Sequence, residues 1–472
     1  MSYRSQSYKK NKSTQKRLAS VHCKRLFLFF CLVTYIEFSL ANEQPELPTA
    51  VTLVQVLAGK KSESRTALRK LRRHWQASYI APLTELLRLN TDAELQTEII
   101  QLMERKTGKR FGADYLRWHR FSWSTDTEPV KNYAEFKAWL YGNVDPRFKA
   151  YFSSEYKTDI RLDEVLWGGV VQDGIPPLRN PEMIAAADAE YLEDDNVVFA
   201  LEVNGSYRAY PKRVLAWHEM FTDTIEGLDV VGVYCTLCGA MIVYETNVDG
   251  TRHKLGTSGF LYRSNKLMYD KSTSSLWNTF WGRPVIGPLT DKGVSLKRRS
   301  VVTTTWGEWK SRHPDTTVLS LNTGYKVDYG EGIAYKDYFA TDKLMFSVPQ
   351  LDNRLKNKAE VLGILPDEAG DGLPLAISAD YLRRHPVYYG KSGHREIVVL
   401  SDASGANRVY EGGIKIDRWL DRNTLIDSQG QNWKVTESGL HGESGQTHRR
   451  LPAHRAFWFG WYSAFPNTIL LY

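Results

Sequence analysis

Two cysteines three residues apart, Cys235 and Cys238, are the side chains of this sequence best suited to chemistry. They form a C-x-x-C followed by Gly239, inside Val-Gly-Val-Tyr-Cys-Thr-Leu-Cys-Gly-Ala-Met-Ile-Val-Tyr-Glu from Val231 to Glu245. A thiol pair on one short arc of backbone suits two tasks: ligation of a soft or borderline metal, or disulfide exchange. The apolar, β-branched residues on either side, Val230, Val231 and Val233 before and Ile242 and Val243 after, predict two strands with the cysteines in the turn between them. Gly239 is free to take the positive φ that such a turn asks for.

Candidate partners lie nearby in sequence. His218 sits in the run Lys212 to Met220, a helical pattern opened by Pro211. It reads either as a third ligand or proton donor beside the thiols, or as a core histidine bonded to backbone. Glu219 would orient that imidazole, act as a base, or face solvent. Met241 is a candidate soft ligand, with a place in the core as its alternative; His253 is a weaker candidate. The segment Gly256 to Asn265 could wall a polar pocket with Arg263, Ser264 and Asn265, or could simply turn. It has neither P-loop spacing nor a G-x-S-x-G elbow, so neither a nucleotide nor a serine nucleophile is expected.

These residues must be carried by an exported chain. Eight basic residues precede or flank the start of the apolar run Leu26 to Ile36, and Ser39-Leu40-Ala41 comes after it. That order predicts a signal peptide over residues 1–41, with an uncleaved anchor as the alternative, and a periplasmic location. Its eight basic residues and one acidic residue, taken from the chain's 62 and 54, leave 54 against 53. The high pI therefore belongs to the leader, and nucleic-acid binding is not expected. No later segment is apolar enough to span a membrane. Cys23 and Cys31 leave with the leader, so the C-x-x-C holds all the remaining sulfur nucleophiles. A disulfide there would close a very small loop and stabilise by only about 2 kcal/mol, so a stapling role is weak beside metal or redox chemistry.

Residues 48–124 show apolar spacings of three and four, with a cap predicted at Asn90-Thr91-Asp92. Helices recurring about every fifteen residues suggest a small HEAT-like array offering a face to a protein partner, or a helical cap on the neighbouring domain. Residues 125–159 read as a linker with one helix near Tyr133 to Tyr141. From residue 160 the pattern becomes β-rich. Within it, Val198–Pro211 matches Val361–Pro374 without gaps, Cys235–Glu245 matches Ser401–Glu411, and Trp306–Leu319 matches Trp458–Leu471 on a shared W-x-x-W-x-x-x-x-P-[DN]-T. A weaker match pairs Tyr269-Asp270 with Ile426-Asp427. The expectation is an α+β chain with two copies, 160–345 and 346–472. On this alignment Cys235 falls on Ser401, Cys238 on Ser404 and His218 on Tyr381, so the second copy would lack both thiols and the imidazole.

Several motifs in fixed order carry a resemblance. They are Arg208-Ala209-Tyr210-Pro211, Trp217-His218-Glu219, Tyr234 to Gly239, Ser258 to Asn265, Ser275-Leu276-Trp277, Trp306-Gly307-Glu308-Trp309 and His313 to Thr316. Over about residues 160–472 the sequence resembles the domain-of-unknown-function family DUF3179. The resemblance implies an exported or membrane-attached bacterial protein and assigns no activity, cofactor or catalytic residue. The leading expectation from the residues is a periplasmic site of Cys235, Cys238 and His218 holding Cu or Zn, structural or catalytic. A thiol–disulfide oxidoreductase is the alternative, although no thioredoxin-like pattern surrounds the motif. A non-enzymatic scaffold is the third.

Overall fold

Apolar periodicity places six helices first: Ala50–Ala58, Lys61–Arg73, Ile80–Leu89, Ala93–Thr107, Tyr115–Trp123 and Tyr133–Gly142. The computed structural model describes residues 49–125, 127–366 and 372–472, so the signal peptide expected over 1–41 lies outside the described residues. Asp92 caps the fourth helix, its carboxylate accepting from the amides of Glu94 and Leu95, and Gly108 ends it at φ +72. The helices share one core with the β-rich part: Leu53, Leu83 and Phe136 belong to the same apolar cluster as Phe260 and Leu267. Lys137 Nζ fastens the joint, donating to Glu85 Oε1 at 2.8 Å and to the carbonyl of Val165, on the first strand, at 2.9 Å. The helix expected within 125–159 is Tyr133–Gly142. No helix among the described residues is long and apolar enough to cross a membrane.

The β-rich part has several sheets. The one that holds the thiols runs in the order Arg298–Arg299, Ala240–Glu245, Leu228–Cys235, Met220–Ile225, Leu178–Arg179. Beside it stands a sheet ordered Val165–Trp167, Leu255–Tyr262, Asn265–Asp270, Leu276–Asn278, Arg283–Ile286.

Two further sheets share one plan. In the first, Val197–Val203 lies between Val302–Thr305 and Ser206–Pro211, and Thr317–Leu319 runs parallel to the latter. In the second, Glu360–Ile364 lies between Ala453–Phe457 and Leu375–Ser378, and Ile469–Leu471 runs parallel to the latter. In each, a short helix precedes that parallel strand, Trp306–Arg312 or Trp458–Ala464, and its second tryptophan donates its indole N–H to a threonine seven residues on, Trp309 to Thr316 at 2.8 Å and Trp461 to Thr468 at 2.9 Å.

Strand register shifts the ungapped sequence match. Val198 lies opposite Pro211, but Val361 lies opposite Ser378, not Pro374. Four extra residues in the second hairpin loop account for the slip, and His218 then corresponds to His385 rather than Tyr381. The next hairpin keeps this offset: Met220 pairs with Val233, and Val387 with Leu400. Cys235 therefore corresponds to Asp402, one residue beyond Ser401. The second turn is one residue shorter, which restores Cys238 to Ser404 and Gly239 to Gly405, both glycines at positive φ.

Candidate functional site

Buried β-branched residues on strands Leu228–Cys235 and Ala240–Glu245 hold the thiol turn rigidly. Within it the amide of Cys238 donates to the carbonyl of Cys235 at 3.1 Å. Gly239 has φ +58, and a Cβ there would lie 2.9 Å from the Phe457 ring, so both backbone and space call for glycine. The far half of the chain closes over the turn. The Phe457 amide donates to the Cys238 carbonyl at 2.7 Å, and a Cβ on Gly460 would sit 3.0 Å from Cys238 Cβ and 3.2 Å from its Sγ. Reciprocally, Thr304 of the first half meets Ser404 of the second turn, hydroxyl to hydroxyl, at 3.1 Å.

Both cysteines are free thiols and buried, Cys238 completely. They differ in acidity. Burial raises both, but for Cys235 the hydrogen bond from the Cys238 thiol, the Lys266 amide and the Lys266 ammonium outweigh it and pull the thiol below its ordinary value. Cys238 is pushed well up by burial and by the neighbouring Cys235 sulfur. Asn265 Nδ2 donates to Cys238 Sγ at 3.4 Å, and the Cys238 thiol lies 3.4 Å from the carbonyl of Ser264. Of the two, Cys235 is the sulfur whose surroundings favour the thiolate, the form that attacks a disulfide.

Around it the structure adds groups that the residue spacing alone does not reveal. Glu219, for which the sequence allowed a place in solvent, is buried. Its Oε1 accepts from Thr236 Oγ1, inside the C-x-x-C, at 2.5 Å and from Tyr335 OH at 2.8 Å. Its Oε2 is ion-paired with Lys266 Nζ. Lys266 occupies a buried position in the strand Asn265–Asp270, among residues that are otherwise mostly apolar. A lysine in such a strand was the available signal, since burying an ammonium demands a partner. Ser264 Oγ and Asn265 Oδ1 are buried beside the thiols and have no hydrogen-bond partner.

His218 has other partners. Its Nδ1 faces the Pro176 carbonyl at 2.9 Å, and its Nε2 faces Tyr329 OH at 2.5 Å. A carbonyl can only accept, so Nδ1 carries the hydrogen and Nε2 takes the tyrosine's. Burial lowers its pKa to about 4. Both nitrogens are spent on these partners, and among the described residues no group of three or more His, Cys, Asp or Glu side chains gathers in metal-holding geometry.

Met241 pairs across from Tyr234, and alternation turns it to the face opposite Cys235, against Phe221. His253 Nδ1 lies 2.8 Å from Asp270 Oδ2. Arg263 is tied to Glu164 Oε2 at 2.5 Å and to the Ser463 carbonyl at 3.1 Å.

A strap covers the site. Residues 320–335 carry no helix or strand, and with the helix Lys336–Phe339 they bring in four tyrosines, of which Tyr325 sets its ring 5.1 Å from that of His218. Tyr329 reaches His218, Tyr335 reaches Glu219, and Tyr338 OH donates to the Leu237 carbonyl at 2.7 Å.

A family model described as "Protein of unknown function (DUF3179)" matches residues 172–468, more than half of the chain. No curated protein matches the chain, and no solved structure matches it.

Proposed function

The chain belongs to the DUF3179 family, which prescribes no chemistry, and from its residues we propose that it is a thiol–disulfide redox protein whose centre is the Cys235–Cys238 pair. The observation that carries this is the geometry: two free, buried thiols on one tight turn, with the Asn265 amide donating to Cys238 Sγ at 3.4 Å and the Ser264 carbonyl 3.4 Å from the same sulfur. Cys235, as thiolate, attacks one sulfur of a substrate disulfide; that S–S bond breaks and the leaving thiolate takes a proton. Cys238 then loses its proton and attacks Cys235, releasing the second substrate thiol and closing the protein disulfide. Two electrons pass from the dithiol to the substrate. Burial beneath the strap favours a small disulfide, or a partner that displaces the strap.

In this proposal 160–345 and 346–472 are two copies of one unit, and only the first bears the dithiol. In the second, Asp402 stands at the Cys235 position and joins Arg408 in an ion pair at 2.6 Å. The signal peptide and periplasmic location belong to the same proposal, since disulfide exchange suits an oxidising compartment. The helical region serves as a cap, with docking of a protein partner as its further role.

A second reading keeps Cu or Zn on the sulfurs. The N–H donors that favour a thiolate also favour a metal-bound one, and soft Cu(I) binds well to two thiolates without His218. Anaerobic purification of the full chain, followed by elemental analysis and thiol counting, separates the readings. The redox reading expects two titratable thiols, no stoichiometric metal, and loss of both thiols together on mild oxidation. One equivalent of Cu or Zn, absent from the Cys235→Ser/Cys238→Ser variant, would establish the second.

A further inference from the structure

We infer that Glu219 is the internal proton acceptor of this dithiol, with Lys266 as the residue that positions it; the inference rests on the redox reading of the Cys235–Cys238 pair. A buried carboxylate paired with a buried ammonium is costly, and an apolar pair of like volume would stabilise as well or better. Here the pair is placed where a proton must be handled. Thr236, flanked by the two cysteines, donates to Glu219 Oε1 at 2.5 Å. Lys266 holds the other oxygen, and its own backbone amide serves the Cys235 sulfur.

The chain strains to put Glu219 there. It stands at φ +54 as the cap of the helix Lys212–His218, its amide donating to Leu215 at 2.7 Å and its carbonyl accepting from Tyr234 at 2.9 Å. Left-handed backbone is unfavourable for a residue that carries a Cβ. In the second half the same backbone bond is made by Pro386, whose carbonyl accepts from the Ser401 amide at 2.7 Å. The position without thiols has no carboxylate, and the position with thiols has one.

The step needing this acceptor is the second. When the Cys235 mixed disulfide forms, Cys238 is still a buried thiol, its sulfur 3.4 Å from the Ser264 carbonyl. Its proton passes to the Glu219 carboxylate, the Cys238 sulfur forms the S–S bond to Cys235, and the substrate thiolate leaves. The substrate thiolate is then protonated from solvent or from Glu219. On reduction the same route returns a proton to Cys238.

The test mixes the reduced full chain with oxidised glutathione across pH 6–10, quenches with acid, and tracks the species by mass. Wild type should pass quickly from mixed disulfide to internal disulfide. Glu219→Gln, which keeps an acceptor for Thr236 and Tyr335, should accumulate the Cys235–glutathione adduct. Its resolution should slow at least about tenfold near neutrality and recover as pH rises, because hydroxide replaces the carboxylate. Glu219→Asp should restore part of the neutral rate, and it carries the test alone if the Gln variant does not fold. Resolution with the wild-type rate and pH profile in Glu219→Gln, or no pH-dependent defect in Glu219→Asp when it alone folds, would overturn the inference. Wild type forming neither adduct nor disulfide would instead overturn the redox reading beneath it.

Discussion

Cys238 is enclosed by a residue 222 positions further along the sequence, Gly460, which has no side chain to collide with it. A methyl group on Gly460 would press on Cys238 Cβ at 3.0 Å and on Sγ at 3.2 Å. Gly460→Ala should therefore cost about 1–3 kcal/mol, read as a lowered urea midpoint with the slope unchanged. An unchanged midpoint would mean that the two halves do not close over the thiols as described. The C-x-x-C and its glycine were legible in the sequence because their spacing and flanking β-branched residues speak for themselves. Lys266 and the role of Glu219 were not, because a charged residue is ordinarily solvated and only the fold shows these two facing each other. His218 was legible as a buried group but not as one whose nitrogens are taken by Pro176 and Tyr329, which lie 42 residues before and 111 residues after it.

Elements decide access. The strap lays Tyr338 on the Leu237 carbonyl inside the thiol turn at 2.7 Å. Tyr338→Phe removes that bond and leaves the ring. A hydrogen bond of this kind is worth about 1 kcal/mol, so alkylation of Cys235 by iodoacetamide should accelerate severalfold while its pH dependence stays put. A rate equal to wild type would place the opening motion elsewhere. The strand pattern around the turn was readable from alternation and turn residues, and the sequence also offered three blocks for comparison. Their register was not readable. Four residues added to one hairpin loop and one removed from the next turn net to the three-residue insertion that the sequence match already showed, but placed differently, so that Cys235 moves from Ser401 to Asp402. Hydrogen-bond pairing, as in Met220 with Val233 and Val387 with Leu400, is what fixes it.

At the scale of the whole molecule, burial of histidines makes the fold sensitive to acid. His218 has its pKa lowered to about 4, and His119 and His454 to about 3, burial being the first cause in each. Above pH 6.5 all three are neutral in both folded and unfolded chains, so their contribution is flat. As pH falls below 6.5 the unfolded chain takes up protons that the folded chain refuses, and stability drops by about 1.4 kcal/mol per pH unit for each histidine, until the folded group itself titrates. Urea midpoints at pH 7.5, 6 and 5 should therefore decline progressively, and a constant midpoint across that range would contradict the burial of these rings. The β-rich, α+β character and the helical start were accessible from periodicity. That the helices and strands share one core was not, because it depends on Phe260 and Leu267 meeting Phe136 across the chain.

The central claim is that Cys235 and Cys238 act as one two-electron couple, and a redox titration tests it most directly. The full chain is equilibrated anaerobically in dithiothreitol buffers of graded potential, quenched in acid, unfolded, alkylated and weighed by mass. The account predicts that both thiols disappear together in a single transition, the ratio of oxidised to reduced protein changing tenfold for each 29.6 mV, about the slope of a two-electron couple. Two thiols that remain alkylatable at every potential, or that are lost one at a time, would contradict it.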